Sequence, residues 1–387
     1  MEFIPYSCQN VSDEDVKAVS DVLRSELLTQ GPLTPEFERV FAQRHNTAHA
    51  VAVSNATAGL HVALLALGVG AGSRVWTTPN SFVASANCAL YCGAAIDFVD
   101  IDSSTRNMSV SALKTKLELS STVDKLPRVV IPVDFAGLPA DLREIRELGN
   151  AYNFHVLEDA SHATGASYLG APVGSQFAHA TVFSFHAVKL ITAGEGGMIT
   201  TNDDALARRL RLLRSHGVTK NFDELENSSE GAWYYEQTSL GYNYRMSEIQ
   251  SALGISQLRR LNDLWSRRKV LAERYDEMLS DLPVILPRRQ DDRESAWHLY
   301  VVEIDGSGTN KTRREVFDDL RHANIGANVH YIPIHLQPYY RKMGFKHGDF
   351  PVSERYYSRA VSIPLFPALT EQQQDRVVDV LTTAFRQ

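Results

Sequence analysis

Residues 180–202 read ATVFSFHAVKLITAGEGGMITTN, and this stretch decides the fold. Its two apolar and β-branched runs predict strands, and Lys189 lies between them, followed by a glycine-rich run at 194–197. A lysine in a loop is ordinarily a solvated surface charge. The segments on either side of this stretch therefore decide whether Lys189 belongs to a site.

Short apolar runs alternate with segments of helical periodicity from about residue 34 to residue 215. AVAVS (50–54) and FHVLED (154–159) are typical of strands, and TAGLHVALLALG (57–68) is typical of a helix. This alternation predicts an α/β fold in which helices cover both faces of a mostly parallel sheet.

The pattern changes after residue 245. Residues 246–279 keep apolar residues at helical spacing, with Gly254 as the only interruption, and predict one long connecting helix. The remaining segments predict a smaller α+β unit. We therefore expect an N-terminal arm (1–33), a large α/β domain (34–245), and a long helix with a small C-terminal α+β domain (246–387).

The composition excludes several classes of protein. The chain has 387 residues and a net charge of −7, so it offers no basic surface to nucleic acid. No apolar run approaches the roughly 20 residues that span a bilayer, and MEFIPYSCQN lacks the pattern of a secretory leader. We expect a cytoplasmic protein with neither a nucleic-acid nor a membrane partner.

The cysteines and histidines give no metal site. Three cysteines, Cys8, Cys88 and Cys92, fit a reducing compartment, and core packing explains the latter two, which share one helical face. None of the thirteen histidines has zinc-ligand spacing.

The segment SNATAGLHVAL predicts a helix that begins near Thr57, directly after a strand. A helix N-terminus can hold a phosphate through its free N–H groups, although Thr57 taken alone is better explained as a simple N-cap. The nearby GVGAGSR follows a helix and precedes a strand, which is the wrong order for a dinucleotide fingerprint.

A carboxylate follows the strand FHVLED, which ends in Glu158 and Asp159. Open α/β sheets bind ligands at the carboxyl ends of their strands, so Asp159 could face a cationic ring nitrogen. Aspartate is also common at strand ends as a turn former.

These signals agree when they are combined. A pyridoxal 5′-phosphate enzyme needs a helix N-terminus for the phosphate, a carboxylate for the pyridine nitrogen and a lysine for covalent attachment. An aromatic ring over the cofactor adds stacking. The chain supplies these parts in the order Thr57, Phe82, Asp159, Ser184, Lys189.

Characteristic sequence segments occur along the whole chain, beyond the five residues of the candidate cofactor site. They include LLTQGPLTPEFE, SNATAGLHVAL, TTPNSFVASAN, FVDID, LEDASHATGA, FSFHAVKLITAGEGGMITTN, LGYNYRMSEIQSALG and NVHYIPIHLQPYY. Together they resemble the DegT/DnrJ-type sugar aminotransferases, which are fold type I enzymes that use pyridoxal 5′-phosphate. A narrower likeness, in LLTQG, PNSFVASAN, VDFAG, DASHATG and FSFHAVK, is to the PseC-type transaminases. Those enzymes aminate the C4 ketone of a UDP-linked 4-keto-6-deoxy-2-acetamido sugar on the way to pseudaminic acid.

The resemblance implies roles for the catalytic and ring-binding residues. Lys189 would form the Schiff base and then move a proton between the substrate carbon and C4′ of the cofactor. Asp159 would keep the pyridine nitrogen protonated, and Phe82 would stack on the ring. His162 stands where many members have a glutamine beside the cofactor's 3′-oxygen, and PseC-like members resemble this chain there.

The resemblance also implies how the phosphate is held. The backbone N–H groups of Thr57 and Ala58 and the Ser184 hydroxyl would bind it. Asn243, in GYNYR, matches an asparagine that reaches the phosphate of the other subunit's cofactor. The expected assembly is therefore a homodimer with shared active sites.

Substrate residues follow from the same likeness. We expect L-glutamate as amino donor and, as substrate contacts, Tyr6, Gln30, His330 and Tyr331. Three other histidines, His186, His216 and His335, are interpreted as structural. The aromatic segment GAWYYEQTSLGYNYR (231–245) suits either a lid over a sugar nucleotide or packing beneath the long helix.

Other functions remain open on the same evidence. The ketosugar could differ in the carbon that is aminated (C3 or C4) or in its nucleotide (dTDP or GDP). A sugar dehydratase on this fold is disfavoured, because that chemistry resembles cases in which histidine replaces the lysine. A non-catalytic regulatory protein is also disfavoured, since it has no need for the intact set around Lys189.

Overall fold

Strands and helices alternate along the chain. The computed structural model describes residues 2–120, 125–226 and 231–386. The strands are β1 (His49–Val53), β2 (Arg74–Thr77), β3 (Ala95–Phe98), β4 (Val129–Ile131), β5 (His155–Asp159), β6 (Ser167–Tyr168), β7 (Ala171–Pro172), β8 (Ala180–Ser184), β9 (Gly197–Thr201), β10 (Val218–Thr219), β11 (Glu236–Gln237), β12 (Val284–Ile285), β13 (Arg293–Glu294), β14 (Tyr300–Ile304) and β15 (Ala360–Ile363).

Helices connect and cover these strands. The α-helices are α1 (Asp13–Leu23), α2 (Leu33–Arg44), α3 (Ala56–Ala66), α4 (Ala84–Tyr91), α5 (Val110–Leu119), α6 (Leu142–Tyr152), α7 (Asp204–Arg214), α8 (Glu248–Arg259), α9 (Leu261–Met278), α10 (Arg313–His322), α11 (Pro338–Arg341), α12 (Pro351–Arg359) and α13 (Glu371–Arg386). Short 3₁₀ turns occur at Phe135–Gly137, Phe222–Glu224 and Ile334–Leu336.

The central sheet has seven strands in the order β1-β9-β8-β5-β4-β2-β3. Pairings from β3 through β8 are parallel, and β9 runs antiparallel to both of its neighbours, β8 and β1. The predicted α/β fold with a mostly parallel sheet is therefore confirmed. The two runs around Lys189 form β8 and β9, which pair with each other in antiparallel orientation.

Strand β8 shows why the sheet needs helices on both faces. All five of its residues are buried, as expected for a strand covered on two sides. Val182 packs in one hydrophobic cluster with Leu60 of α3, whereas Phe183 packs in another with Phe37 and Phe41 of α2. Successive side chains of a strand point to opposite faces, so α2 and α3 cover opposite sides of the sheet.

The prediction of one long helix over residues 246–279 is wrong at one position. Two helices, α8 and α9, meet at Arg260, which has φ −98° and ψ 4°. The Arg260 guanidinium donates to the buried Asp15 carboxylate at 3.0 Å, so a contact distant in sequence accompanies the break. Gly254 does not interrupt α8. A Cβ there would come within 2.6 Å of the Phe37 ring, so close packing requires glycine at this position.

The N-terminal arm contains a helix of its own. Ser12 caps α1, and its hydroxyl and the Asp15 carboxylate form a capping box with the first-turn backbone. Asp15 also accepts from Gln257 at 2.6 Å, which fixes α1 against α8.

The C-terminal region is built on the antiparallel sheet β12-β14-β15. Its hydrophobic cluster includes Leu271 and Tyr275 of α9, Leu320 of α10, Leu381 of α13, and Ile4 of the arm. Strand β13 pairs with β6, which follows β5 in the chain, and so joins this region to the large one. The division at residues 33 and 245 remains a proposal.

No helix in the part of the chain that the structure describes is long and apolar enough to cross a membrane. No group of three or more histidine, cysteine or acidic side chains there is arranged to hold a metal ion.

Candidate active site

Three of the predicted site residues lie at the carboxyl edge of the central sheet. Asp159 ends β5, Ser184 ends the neighbouring β8, and Lys189 follows in the loop after β8. Strands β5 and β8 are parallel neighbours, with Asp159 paired to Val182. Because their carboxyl ends meet at one edge, the strands bring these residues together where open α/β sheets bind ligands.

Asp159 is held by three donors. Its Oδ1 accepts from the Ser161 N–H at 3.1 Å and from the Ser161 hydroxyl at 2.6 Å, and its Oδ2 accepts from the Ser85 hydroxyl at 2.7 Å. The residue is 4% exposed. Donors of this kind stabilise the ionised carboxyl group, so Asp159 presents a fixed buried charge.

Lys189 is partly buried close to that charge. Its backbone N–H donates to the carbonyl oxygen of His186 at 2.9 Å, which shapes the turn that follows β8. Burial lowers the pKa of Lys189 to about 8, and the negative charge of Asp159 partly opposes this shift. A lysine with such a pKa is partly neutral near neutral pH and can act as nucleophile or base.

A chain of rings forms one wall beside Lys189. The Tyr331 hydroxyl lies 3.2 Å from Nε2 of His162, and the His330 ring lies 4.8 Å from that of Tyr331. Burial, and next the charge of Lys189, lowers the pKa of His162 well below its usual value and that of His330 to about 4. Both imidazoles are therefore neutral at physiological pH.

His330 is fixed on two sides. Its Nδ1 lies 2.7 Å from the Ser362 hydroxyl, and its carbonyl oxygen accepts from the Tyr356 hydroxyl at 2.9 Å. The Tyr6 ring from the N-terminal arm lies 5.8 Å from the His330 ring. Three of the predicted substrate residues thus adjoin one another.

The N-terminus of α3 faces the same edge. Asn55, and not Thr57, is the N-cap, because its side chain accepts from the Ala58 N–H at 2.8 Å. The Ala58 N–H is therefore engaged within the helix, whereas the Thr57 N–H is one of the first-turn groups that a helix leaves without an internal acceptor. The buried Ser184 hydroxyl accepts from the His186 N–H at 3.4 Å.

The glycines after Lys189 have separate structural reasons. Gly194 has φ +76°, a conformation that favours glycine. A Cβ on Gly196 would come within 2.7 Å of the Met246 side chain, and one on Gly197 within 2.8 Å of the Ala56 nitrogen. Gly197 therefore lets the first turn of α3 approach β9 at the edge where Lys189 lies.

Phe82 lies in the turn just before α4 and is 59% exposed. Its ring centroid is 6.5 Å from that of Tyr331, so it flanks the same space. Gln30 and Asn243 are exposed as well. The main chain of Asn243 forms an isolated antiparallel β-bridge with that of Ser215, which directly follows α7. The carbonyl oxygen of the next residue, Tyr244, accepts from the Ser54 N–H at 2.8 Å, just before α3 begins.

The aromatic segment 231–245 divides into two parts. Tyr242 and Tyr244 stack with ring centroids 5.0 Å apart and pack near His61 of α3. Trp233 and Leu240 are 73% and 78% exposed. The end of the segment thus packs on α3, whereas Trp233 and Leu240 present apolar surface to solvent.

The structure settles the surroundings of the remaining histidines individually. His335 is fully buried and its Nε2 lies 2.9 Å from Glu354, as a structural histidine should be. His186 is exposed next to Lys189. His216 adopts a positive φ of 63° in the turn after α7.

Several residues of this edge were missed in the sequence. Ser85 and Ser161 hold Asp159, His298 lies 4.3 Å from the His162 ring, and the Asn80 side chain accepts from the Tyr331 N–H at 3.4 Å. Ser161 follows Asp159 by two residues, and this spacing is typical of a turn in which an aspartate side chain accepts from the residue two positions later. His298 and Asn80 reach the site only through the tertiary fold.

The site fits pyridoxal 5′-phosphate in three respects. Nδ1 of His162 is buried and has no hydrogen-bond partner within the described ranges, so it is available to a ligand oxygen. The α3 N-terminus sits over Gly197 with no room for a Cβ. A buried carboxylate, Asp159, faces a lysine of lowered pKa, Lys189.

Comparison with known proteins agrees with this geometry. Residues 9–382 match the DegT/DnrJ/EryC1/StrS aminotransferase family. The spore coat polysaccharide biosynthesis protein SpsC of Bacillus subtilis (strain 168) is 40% identical over 382 residues, which are 98% of this chain and 96% of SpsC.

Solved structures share the whole architecture. PseC of Helicobacter pylori, an aminotransferase involved in the biosynthesis of pseudoaminic acid, is 31% identical, with a TM-score of 0.89 over 100% of both chains. Spr1654 of Streptococcus pneumoniae, solved in its PLP form, is 28% identical, with a TM-score of 0.89 over 100% of this chain and 99% of its own. It has also been solved in its PMP form.

The fold and the site therefore define a transaminase of fold type I that depends on pyridoxal 5′-phosphate. More particularly, the chain belongs to the DegT/DnrJ/EryC1/StrS aminotransferase family, and it is a sugar aminotransferase.

Proposed function

We propose that this enzyme moves an amino group from L-glutamate to the C4 ketone of a UDP-linked 4-keto-6-deoxy-2-acetamido sugar. The observation that supports this most strongly is the structural agreement with PseC over 100% of both chains, together with the PseC-like segments of the sequence. A pathway that makes pseudaminic acid or a related sugar in the cytoplasm would consume such a product.

Lys189 is the proposed catalytic base. With a pKa lowered to about 8, its Nζ can accept the proton from the α-carbon of the amino donor and later return one to the reacting carbon of the sugar. When bound, the cofactor supplies the electron sink for these proton transfers. Covalent attachment of the cofactor is also assigned to Lys189.

Asp159 and the wall formed by the rings of His162, Tyr331 and His330, here called the histidine wall, are proposed to orient the cofactor ring. The Asp159 carboxylate would hold the ring nitrogen in its protonated form, which the buried charge favours. His162 is fixed through Tyr331 on one nitrogen, so its other nitrogen can address the 3′-oxygen. Phe82 would cover the open face of the ring.

The phosphate and the sugar are proposed to lie at opposite ends of this space. The Thr57 N–H, the Ser184 hydroxyl and, if Asn55 releases it, the Ala58 N–H would hold the phosphate. On the other side, Tyr6, His330 and Tyr331 form a polar and aromatic wall that suits a sugar ring. Gln30 is also proposed to contact the substrate, and this role rests on the family resemblance alone.

The active unit is proposed to be a homodimer. Asn243 is exposed on the surface of its own chain, as a residue that reaches a neighbouring site must be. The exposed Trp233 and Leu240, in the same segment, would be covered by the partner.

A substrate panel tests the proposal. Purified enzyme would be incubated with L-glutamate and with UDP- or dTDP-linked 4-keto-6-deoxy sugars, with and without the 2-acetamido group, and kcat/KM would be compared. We expect the UDP-linked 2-acetamido sugar to be preferred by at least roughly 100-fold, because pocket hydrogen bonds discriminate strongly against substrates that lack their partners. Preference for a dTDP-linked sugar would contradict the proposed substrate.

A further inference from the structure

Two additional carboxyl groups lie near Asp159 in the sheet, and the Glu158 side chain points to the face opposite that of Asp159. Asp134 follows β4, Glu158 precedes Asp159 in β5, and both side chains are fully buried. The Asp134 N–H donates to the carbonyl oxygen of Asp159 at 3.1 Å, so the main chain ties the end of β4 to Asp159. Neither side chain has a role in the function proposed above.

One oxygen atom of each carboxyl group accepts a hydrogen bond, and the other has no donor within the described ranges. Asp134 Oδ1 accepts from the Ala140 N–H at 2.8 Å, and Glu158 Oε2 accepts from the Thr181 hydroxyl at 2.6 Å. Asp134 Oδ2 and Glu158 Oε1 are buried and have no donor within the described ranges. Each carboxyl group shifts the pKa of the other through a side-chain hydrogen bond, which places the two free oxygens within reach of each other.

Two ionised carboxylates cannot satisfy each other, because neither has a hydrogen to donate and their charges repel. One proton between them satisfies both free oxygens. Burial, and next the charge of Glu158, raises the pKa of Asp134 well above its usual value. Burial also raises the pKa of Glu158 to about 7, against the hydrogen bonds from Thr181 and Asp134.

We propose that Asp134 and Glu158 hold one proton between them and act as a single buried anion that positions Asp159. The proton resides on Asp134 Oδ2 and is donated to Glu158 Oε1. The pair makes no bond to substrate or cofactor, and its negative charge favours the protonated form of the ring nitrogen that Asp159 faces.

The pair also reaches the histidine wall. Through Ala140, the Asp134 side chain closes the turn that contains Phe135. The Phe135 ring lies 6.4 Å from the His162 ring and 6.2 Å from the Tyr331 ring. Asp134 therefore positions two walls of the same site, the main chain of Asp159 and the support of His162.

Infrared spectroscopy tests whether the proton is present. Difference spectra of the holoenzyme at pH 8, wild type minus Asp134→Asn and wild type minus Glu158→Gln, should each show the carbonyl band of a protonated carboxylic acid. Each amide replaces the shared proton with an N–H donor, so both hydrogen bonds and one negative charge survive. Both variants should therefore unfold within a few degrees of the wild type.

Glu248→Gln is the matched control. The buried Glu248 carboxyl group accepts from the Leu33 N–H at 2.7 Å and from the Thr34 N–H and hydroxyl at 3.1 and 2.7 Å, so both of its oxygens already have donors. Its difference spectrum should lack the band. A wild-type protein without the band, or a band that survives both single substitutions, would overturn the proposal.

The double variant Asp134→Asn/Glu158→Gln tests the positioning role. It removes the negative charge and also the hydrogen bond between the two side chains, because two amide NH2 groups then face each other, so the cofactor should bind roughly tenfold more weakly than to either single variant. The absorbance of the bound cofactor should also change with pH at a different midpoint. A double variant that matches the single variants in both measurements would show that the pair does not position Asp159 electrostatically.

Discussion

At the residue scale, Asp159 shows how neighbouring residues fix one side chain in a single orientation. Two donors from Ser161 and one from Ser85 converge on its two oxygens. Each bond to a charged group is worth about 1.5–3 kcal/mol, and together they fix the orientation of the carboxylate. A cationic ring nitrogen would therefore meet a charge that is already oriented.

Asp159→Asn should preserve the shape of the site and remove this charge. We expect turnover to fall roughly 100- to 1000-fold, or about 3–4 kcal/mol of transition-state stabilisation, with a much smaller change in unfolding free energy. Single-turnover rates with L-glutamate measure the loss. Ser85→Ala is the control, because it keeps the charge and removes one hydrogen bond; equal rates for the two variants would refute the role of the charge.

Lys189 predicts a pH dependence of stability in the cofactor-free protein. Its pKa is lowered from 10.5 to about 8 by burial, so the charged form destabilises the folded state. Below pH 8 that cost is fully present, and between pH 8 and 10.5 it disappears, because the folded state loses its proton before the unfolded state does. Stability should therefore rise with pH across this window.

Lys189→Met removes the titrating group. Relative to wild type, the variant should be more stable in urea unfolding at pH 7, and the advantage should vanish by about pH 10.5. Lys114→Met is the control, because Lys114 is 63% exposed. An advantage that is the same at both pH values would show that burial does not lower the pKa of Lys189.

Residues near the ends of elements were predictable, and residues reached through the fold were not. Asp159 ends β5 and Lys189 lies in the loop after β8, and both belong to short motifs that can be recognised locally in the sequence. His298 touches His162, and Asp134 touches Glu158, only because distant segments pack together. Thr57 was placed at the right helix end, but the adjacent Asn55 is the N-cap.

At the scale of elements, α8 shows that a glycine in a helix can be a packing requirement. Its neighbour Phe37 is fully buried, and an added Cβ on Gly254 would lie 2.6 Å from two atoms of the ring. The sequence suggested an interruption at Gly254. The actual break lies at Arg260, where the guanidinium bonds to Asp15 of the arm, and helical periodicity contains no information about that partner.

Gly254→Ala should therefore destabilise the protein even though alanine is the better helix former. Helix propensity favours alanine by about 1 kcal/mol, while overpacking costs about 1–3 kcal/mol, so we expect a net loss of up to about 2 kcal/mol in urea unfolding. Gly70→Ala, where nothing lies within 4 Å, is the control. Equal or greater stability of the Gly254 variant would show that Phe37 can move aside.

At the scale of the whole molecule, the sheet and its helices explain the cofactor end of the site, while the assembly is a proposal. The alternation of strands and helices was sufficient to predict the sheet, because parallel strands need covering helices. A partner chain leaves no such periodic signal in a sequence. What supports the dimer here is the exposure of Asn243, Trp233 and Leu240 in one segment.

Subunit mixing tests the shared site. In a heterodimer of Lys189→Ala and Asn243→Ala chains, one site would carry both changes and the other neither, if Asn243 serves the partner's cofactor. Mixing two impaired preparations under subunit exchange should then restore activity towards one quarter of the wild-type level. Heterodimers confirmed by native mass spectrometry but no more active than the unmixed variants would place Asn243 in its own subunit's site.

The central claim is transfer of nitrogen from glutamate to one carbon of a nucleotide sugar. Its most direct test is incubation of the enzyme with ¹⁵N-labelled L-glutamate and the UDP-linked 4-keto-6-deoxy-2-acetamido sugar, followed by NMR of the purified product. The account predicts ¹⁵N bonded to C4 of the sugar and an equal amount of 2-oxoglutarate. Label at C3, or a sugar recovered without label while the same enzyme aminates another ketosugar, would contradict it.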